Sequence, residues 1–135
     1  MVDIGGLMIE IMLIVLIIIS AGAILGGYYM RFKAPKDKDM KMGVLTQRAK
    51  ASSETWEYAN RTCGSYWLII GIIGFIMTVA VFLLYSFIGD TWPNVFAIFT
   101  LAVICIGMSS SCTAVIKELN SKFDEKGNLK ENVAE

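Results

Sequence analysis

The side chains that could do acid–base, nucleophilic or metal chemistry are few here and poorly grouped. The 135 residues contain no histidine, which removes the commonest general base and metal ligand. Cys63, Cys105 and Cys112 form no C-x-x-C pair, and their number is odd. They read as small, reduced residues at helix contacts, with Cys105 and Cys112 on one face of one helix. Glu10 stands at the head of a long apolar run, where a proton-coupled carboxylate would serve a small multidrug exporter. Because it precedes the run, it escapes the roughly 3 kcal/mol cost of a mid-span acid. Gly26-Gly27 follow an apolar helix rather than a strand, so they are no nucleotide loop. No enzymatic constellation and no cofactor or metal site is expected.

What remains is chemistry of recognition. Asp3, Glu10 and Asp90, with Trp92 nearby, would draw a cationic or amphipathic peptide. Trp56, Tyr58, Asn60 and Arg61 form a candidate docking strip for a cytosolic protein. For both sets a plainer reading stands beside the functional one. The acids are polar ends that orient helices, and Trp56 is an interfacial anchor with a loop-stabilising asparagine.

The elements that carry these residues follow from hydropathy. Apolar residues make up 56% and charged ones 18%, with a mean hydropathy of +0.61. Three runs, about 11–30, 66–88 and 95–116, are each long enough to cross a hydrocarbon core. The expected fold is a single all-α membrane domain with three transmembrane helices, a loop at 31–65 and a tail at 117–135. The first run has no positive residue before it, so it is a retained anchor rather than a signal peptide. Arg31, Lys33, Lys36, Lys38, Lys41, Arg48, Lys50 and Arg61 lie in the loop, and Lys117, Lys122, Lys126 and Lys130 in the tail. All 12 basic residues therefore share one side, which the positive-inside rule makes cytoplasmic, with the N-terminus outside. The balance of 12 basic and 12 acidic side chains gives no nucleic-acid footprint.

Gly89 can end the second helix and Asp90 or Thr91 can cap the third, which makes these two antiparallel neighbours. Gly71, Gly74, Ala102 and Gly107 offer smooth surfaces for them, and Gly22 with Gly26 has G-x-x-x-G spacing. In the loop, Arg31–Lys41 reads as a solvated linker. From Ser52 a helix begins, capped by Ser52 or Ser53, with Glu54 in its first turn and Glu57 and Arg61 at i, i+4. It either lies in the interface or runs straight into the second span, Gly64-Ser65 allowing a bend.

The string Gly43-Val44-Leu45-Thr46, then Ser53-Glu54-Thr55-Trp56-Glu57-Tyr58-Ala59-Asn60-Arg61, then Gly64, resembles the signature of the SdpI-like family. That signature runs G-Y-R-T, a basic spacer, E-T-W-x-x-A-N and a glycine before an apolar helix. The tail from Lys117 to Asn128 resembles the family's F-D-x-x-G-N ending, so the likeness covers roughly residues 11–130. The resemblance implies a bacterial plasma-membrane protein giving immunity to a membrane-active peptide toxin. It further implies signalling through capture of a cytosolic transcriptional repressor. The family's tyrosine and arginine are Val44 and Leu45 here, with Arg48 the nearest substitute for the arginine. A phage holin is the competing class, since three spans and an inner charged tail suit it. Yet a pore-former needs polar faces, and only Ser109–Thr113 is polar.

Overall fold

The structure, a computed structural model, describes residues 3–89 and 91–131 and is all-helical. Helix α1 runs Ile4–Phe32, α2 Ser53–Ile88 and α3 Thr91–Lys122. All three are long and apolar enough to cross a membrane. At about 1.5 Å per residue α1 is about 43 Å long, more than a hydrocarbon core of about 30 Å needs. Its charged residues Glu10 and Arg31 stand about 31 Å apart along the axis by the same rise, so they bracket the run expected from sequence. Of the two arrangements open to the segment after Ser52, the chain takes the straight one. The helix passes Gly64-Ser65 without a break. The first three turns of α2 therefore project past the level of Arg31.

In lipid a large apolar side chain gains little by packing inside, so close approach of backbones decides which residues face inward. The buried positions of α1 are Gly6, Ile9, Leu13, Leu16, Ser20, Ala23, Gly27 and Met30, spaced alternately by three and four. Many bulky residues, such as Ile14, Ile18, Leu25, Ile76 and Phe82, face outward instead. The tightest crossing is Gly27 of α1 against Gly64 of α2. A Cβ on Gly27 would stand 2.7 Å from the Leu68 nitrogen, and one on Gly64 2.5 Å from the Arg31 nitrogen. Gly71 packs on Ala23 and Ile24, and Gly74 sits between Ser20 and Ile104, which brings all three helices together.

Several expected contacts need correction. Gly22 of the G-x-x-x-G pair faces open space, and Gly26 meets Trp67 one residue from the true crossing. Ala102 and Cys105 are exposed, whereas Cys112, though also exposed, lies beside buried Cys63 of α2 as a helix contact. Gly107 does pack, against Ile70. Gly89, with φ +81°, ends α2, and Pro93 lies in the first turn of α3. Thr91 is already helical, and Asp90, the other expected cap, lies outside the described residues. The hydroxyls of Ser109, Ser111 and Thr113 donate to the carbonyls of Cys105, Met108 and Ser109 at 2.7–3.3 Å. Those three hydroxyls are thus satisfied by their own helix.

Two buried clusters result. One, toward the α2–α3 hairpin, holds Ile9, Leu13, Leu16, Val81, Ala97 and Ile104. The other, at the loop end, gathers Trp56, Ala59, Cys63, Val115, Leu119 and Phe123 with Met30 and Ala49.

Candidate functional site

The loop end is built on the capped start of α2. Ser52 is the N-cap, its hydroxyl accepting from the Thr55 nitrogen at 3.2 Å, while its own nitrogen donates to Thr55 Oγ1 at 3.0 Å. The Thr55 hydroxyl also donates to the Ala49 carbonyl at 3.1 Å, so this buried threonine joins cap and loop. Glu54 lies exposed in the first turn, where a carboxylate favours the helix dipole. Glu57 and Arg61 pair at 2.8 Å, but both are about half-exposed, so the pair contributes little.

The opposite face of the same turns is closed. Trp56 is 1% exposed, and its indole donates to the Ala34 carbonyl at 2.7 Å. That bond ties down a short 3-10 turn, Ala34–Lys36, in what reads from sequence as a solvated linker. Asn60 is fully buried and bridges two segments. Its amide donates to the Trp56 carbonyl at 2.8 Å, and its oxygen accepts from the Val44 nitrogen at 3.0 Å. Gly43, at φ +139°, passes so close to this oxygen that a Cβ would collide with it. Thr46 accepts from the Ala49 nitrogen at 3.2 Å and so caps the turn leading to Ser52.

The tail completes the enclosure. Phe123 is buried beside the half-buried Tyr58, whose hydroxyl donates to Glu118 at 2.6 Å. Lys122 donates to the same hydroxyl at 2.7 Å and stands 4.8 Å over the ring. Arg48 donates to the Phe123 carbonyl at 3.2 Å, and Ser52 to that of Gly127 at 2.9 Å. Asp124 Oδ1 accepts from the Lys126 and Asn128 nitrogens at 2.9 and 2.8 Å. The donation from Asn128 holds its carboxyl below the usual value despite an opposing desolvation. Gly127, at φ +82°, makes the turn that this loop requires.

Gly43, Thr46, Thr55, Trp56, Ala59 and Asn60 therefore meet in one internal latch, while Gly64 lies beyond it at the crossing of α1 and α2. This corrects the expected docking strip: Trp56 and Asn60 present no surface to a partner, and Trp56 is buried in protein rather than anchored in the interface. Arg61 is exposed and Tyr58 half-buried. Arg48 is spent on the tail, while Leu45 is exposed. The joining of tail to cap through Ser52 and Gly127 is not signalled by either segment alone. The Asp124…Gly127-Asn128 turn pattern was its nearest trace.

At the other end, Glu10 is exposed on α1 and Trp92 is 63% exposed at the start of α3. Glu10 lies about 9 Å along α1 from its first residue. No hydrogen bond joins Glu10 and Trp92, and Asp90 lies outside the described residues. No group of three or more side chains suited to a metal occurs among the described residues.

A family model described as the SdpI/YfhL protein family matches residues 39–110, from within the loop through α2 and most of α3. No curated protein and no solved structure matches the chain.

Proposed function

The chain belongs to the SdpI/YfhL protein family, and from that premise we propose that it confers immunity to a membrane-active peptide toxin. The family is a membrane immunity family rather than an enzyme family, and this chain is a multi-pass plasma-membrane protein within it. The observation that carries the reading is that the matched loop string is built into a closed latch at one end of a three-helix bundle. A lesion-forming holin would have no use for such a latch.

In this reading the N-terminus is outside and the latch is in the cytoplasm, since all 12 basic residues lie in or beside the loop and tail. The outer rim then offers Asp3, Glu10 and Trp92, with Asp90 joining them by its place in the sequence, to a cationic amphipathic peptide, drawn by charge and held by apolar contact. The inner end offers Glu54, Glu57 and Arg61, the exposed face of the first turns of α2, to a cytosolic repressor. Trp56 and Asn60 act from within by holding that face in shape.

The test is growth of a sensitive bacterium, with and without expression, challenged with a membrane-active peptide toxin. Protection in expressing cells, lost in Trp56→Ala, is the expected result. Lysis on expression without toxin would instead indicate a holin. In the same cells, after the native cysteines are replaced by serine, Met40→Cys should be labelled only from inside and Trp92→Cys from outside. The reverse pattern would overturn the orientation.

A further inference from the structure

We propose that the cleft between the end of α1 and the third and fourth turns of α2 binds the phosphate of an anionic phospholipid. This site does not rest on the immunity reading, although it takes Arg61 from the face offered there to a repressor. The cleft, of about 310 Å³, is lined by Arg31, Arg61, Thr62, Ser65 and Tyr66. Two guanidiniums, two hydroxyls and a phenol line it, and no carboxylate does.

One side chain organises the two cations. The Ser65 hydroxyl donates to the Arg61 carbonyl at 2.7 Å and accepts from Arg31 Nη1 at 2.7 Å. Arg31 is thus held beside the turn that carries Arg61, with its remaining donors free of that bond. Glu57 takes Arg61 through Nε at 2.8 Å, which leaves the outer fork of that guanidinium for an anion. Two like charges gathered at one cleft repel, and a phosphate between them relieves the repulsion while offering acceptors to both.

The level of the cleft selects a lipid phosphate over a free one. Arg31 is the first cation after the apolar run of α1, and its backbone touches α2 at Gly64. One turn toward the membrane, Tyr28 lies below Arg31 and Ile69 below Ser65, and both are exposed. A phosphate in the cleft would therefore have its acyl chains against an apolar surface, at the depth where headgroups lie.

The test uses the purified full chain in neutral detergent, offered equal amounts of phosphatidylglycerol and phosphatidylcholine and read by native mass spectrometry. Phosphatidylglycerol should be retained about tenfold over phosphatidylcholine, whose phosphate offers the same oxygens but whose choline brings a third cation to the two guanidiniums. The Arg31→Gln/Arg61→Gln variant should lose this preference, and Lys126→Gln/Lys130→Gln, an equal charge change in the tail, should keep it. If the double arginine variant fails to fold by circular dichroism, Ser65→Ala decides instead. It keeps both charges but frees Arg31, and a several-fold loss is expected. Equal retention of the two lipids by the unaltered chain, or full preference in the cleft variants, would overturn the proposal. So would excess inorganic phosphate that displaces phosphatidylglycerol and matches its thermal stabilisation, because the site would then take free phosphate.

Discussion

Replacing Asn60 with alanine separates an internal latch from a docking surface. The side chain makes two bonds of unequal weight. Its donation to the Trp56 carbonyl is dispensable, because within α2 that carbonyl already accepts from the backbone nitrogen four residues on. Its acceptance from the Val44 nitrogen is the hydrogen bond that nitrogen makes across to α2. Removing the acceptor leaves a partly buried donor unpaired, at about 1–3 kcal/mol, and the vacated volume adds about 1 kcal/mol. A total of about 2–4 kcal/mol corresponds to faster local opening of the segment around Val44 by about 30-fold to 1,000-fold. Hydrogen–deuterium exchange of the protein in lipid nanodiscs reads this directly. Peptides covering Met40–Gln47 should exchange faster by that factor, while those from the apolar core of α2 stay unchanged. If Asn60 instead served to meet a partner, exchange in the free protein would not move. Unchanged protection at Val44 would refute the latch.

Two further outcomes follow from contacts elsewhere. Gly64→Leu places its Cβ 2.5 Å from the Arg31 nitrogen and 2.7 Å from the Gly27 carbonyl. Backbone atoms cannot swing aside as a side chain can, so a loss of at least about 1–3 kcal/mol is expected, read as a lower thermal midpoint. Gly22→Leu, which has nothing within 4 Å, should leave that midpoint unchanged. The second concerns Asp124, whose carboxyl is held below its usual 3.8 by donated backbone bonds. A group depressed in the folded state stabilises it above the unfolded value and loses that effect as pH falls through the folded one. The tail turn should therefore be fully formed above pH 3.8 and open as pH drops further. Amide shifts of Lys126 and Asn128 should report this, and Asp124→Ala should abolish the transition.

Three spans, their order and the capped start of α2 were legible because each depends on local composition. Length and apolarity specify a span, and Ser52 with Thr55 three residues on specifies a cap within one turn. The packing of the spans was less legible, because in a uniformly apolar run hydrophobic periodicity marks no inner face. A period of small residues would have marked it better. On α1, Gly6, Ser20 and Gly27 fall on one seven-residue repeat with Ala23 beside it on the same buried face, and the single G-x-x-x-G pair at Gly22 and Gly26 does not.

The misreading of Trp56 has the same root at the other end of the chain. A tryptophan about ten residues before a span is an interfacial anchor when nothing else covers it, since its ring suits the headgroup level. Whether it is covered depends on where Ala34, Ala49 and Phe123 go, and they lie 22, 7 and 67 residues away in sequence. Each takes part in a contact that short-range patterning does not reveal: the indole donating to Ala34, Thr55 to the Ala49 carbonyl, and Arg48 to the Phe123 carbonyl. The loop string thus carries its information in pairs. Gly43 leaves room for Asn60, Asn60 holds Val44, and Ser52 reaches Gly127. A residue type chosen to fit a distant neighbour looks, in a linear reading, like one chosen to meet a partner.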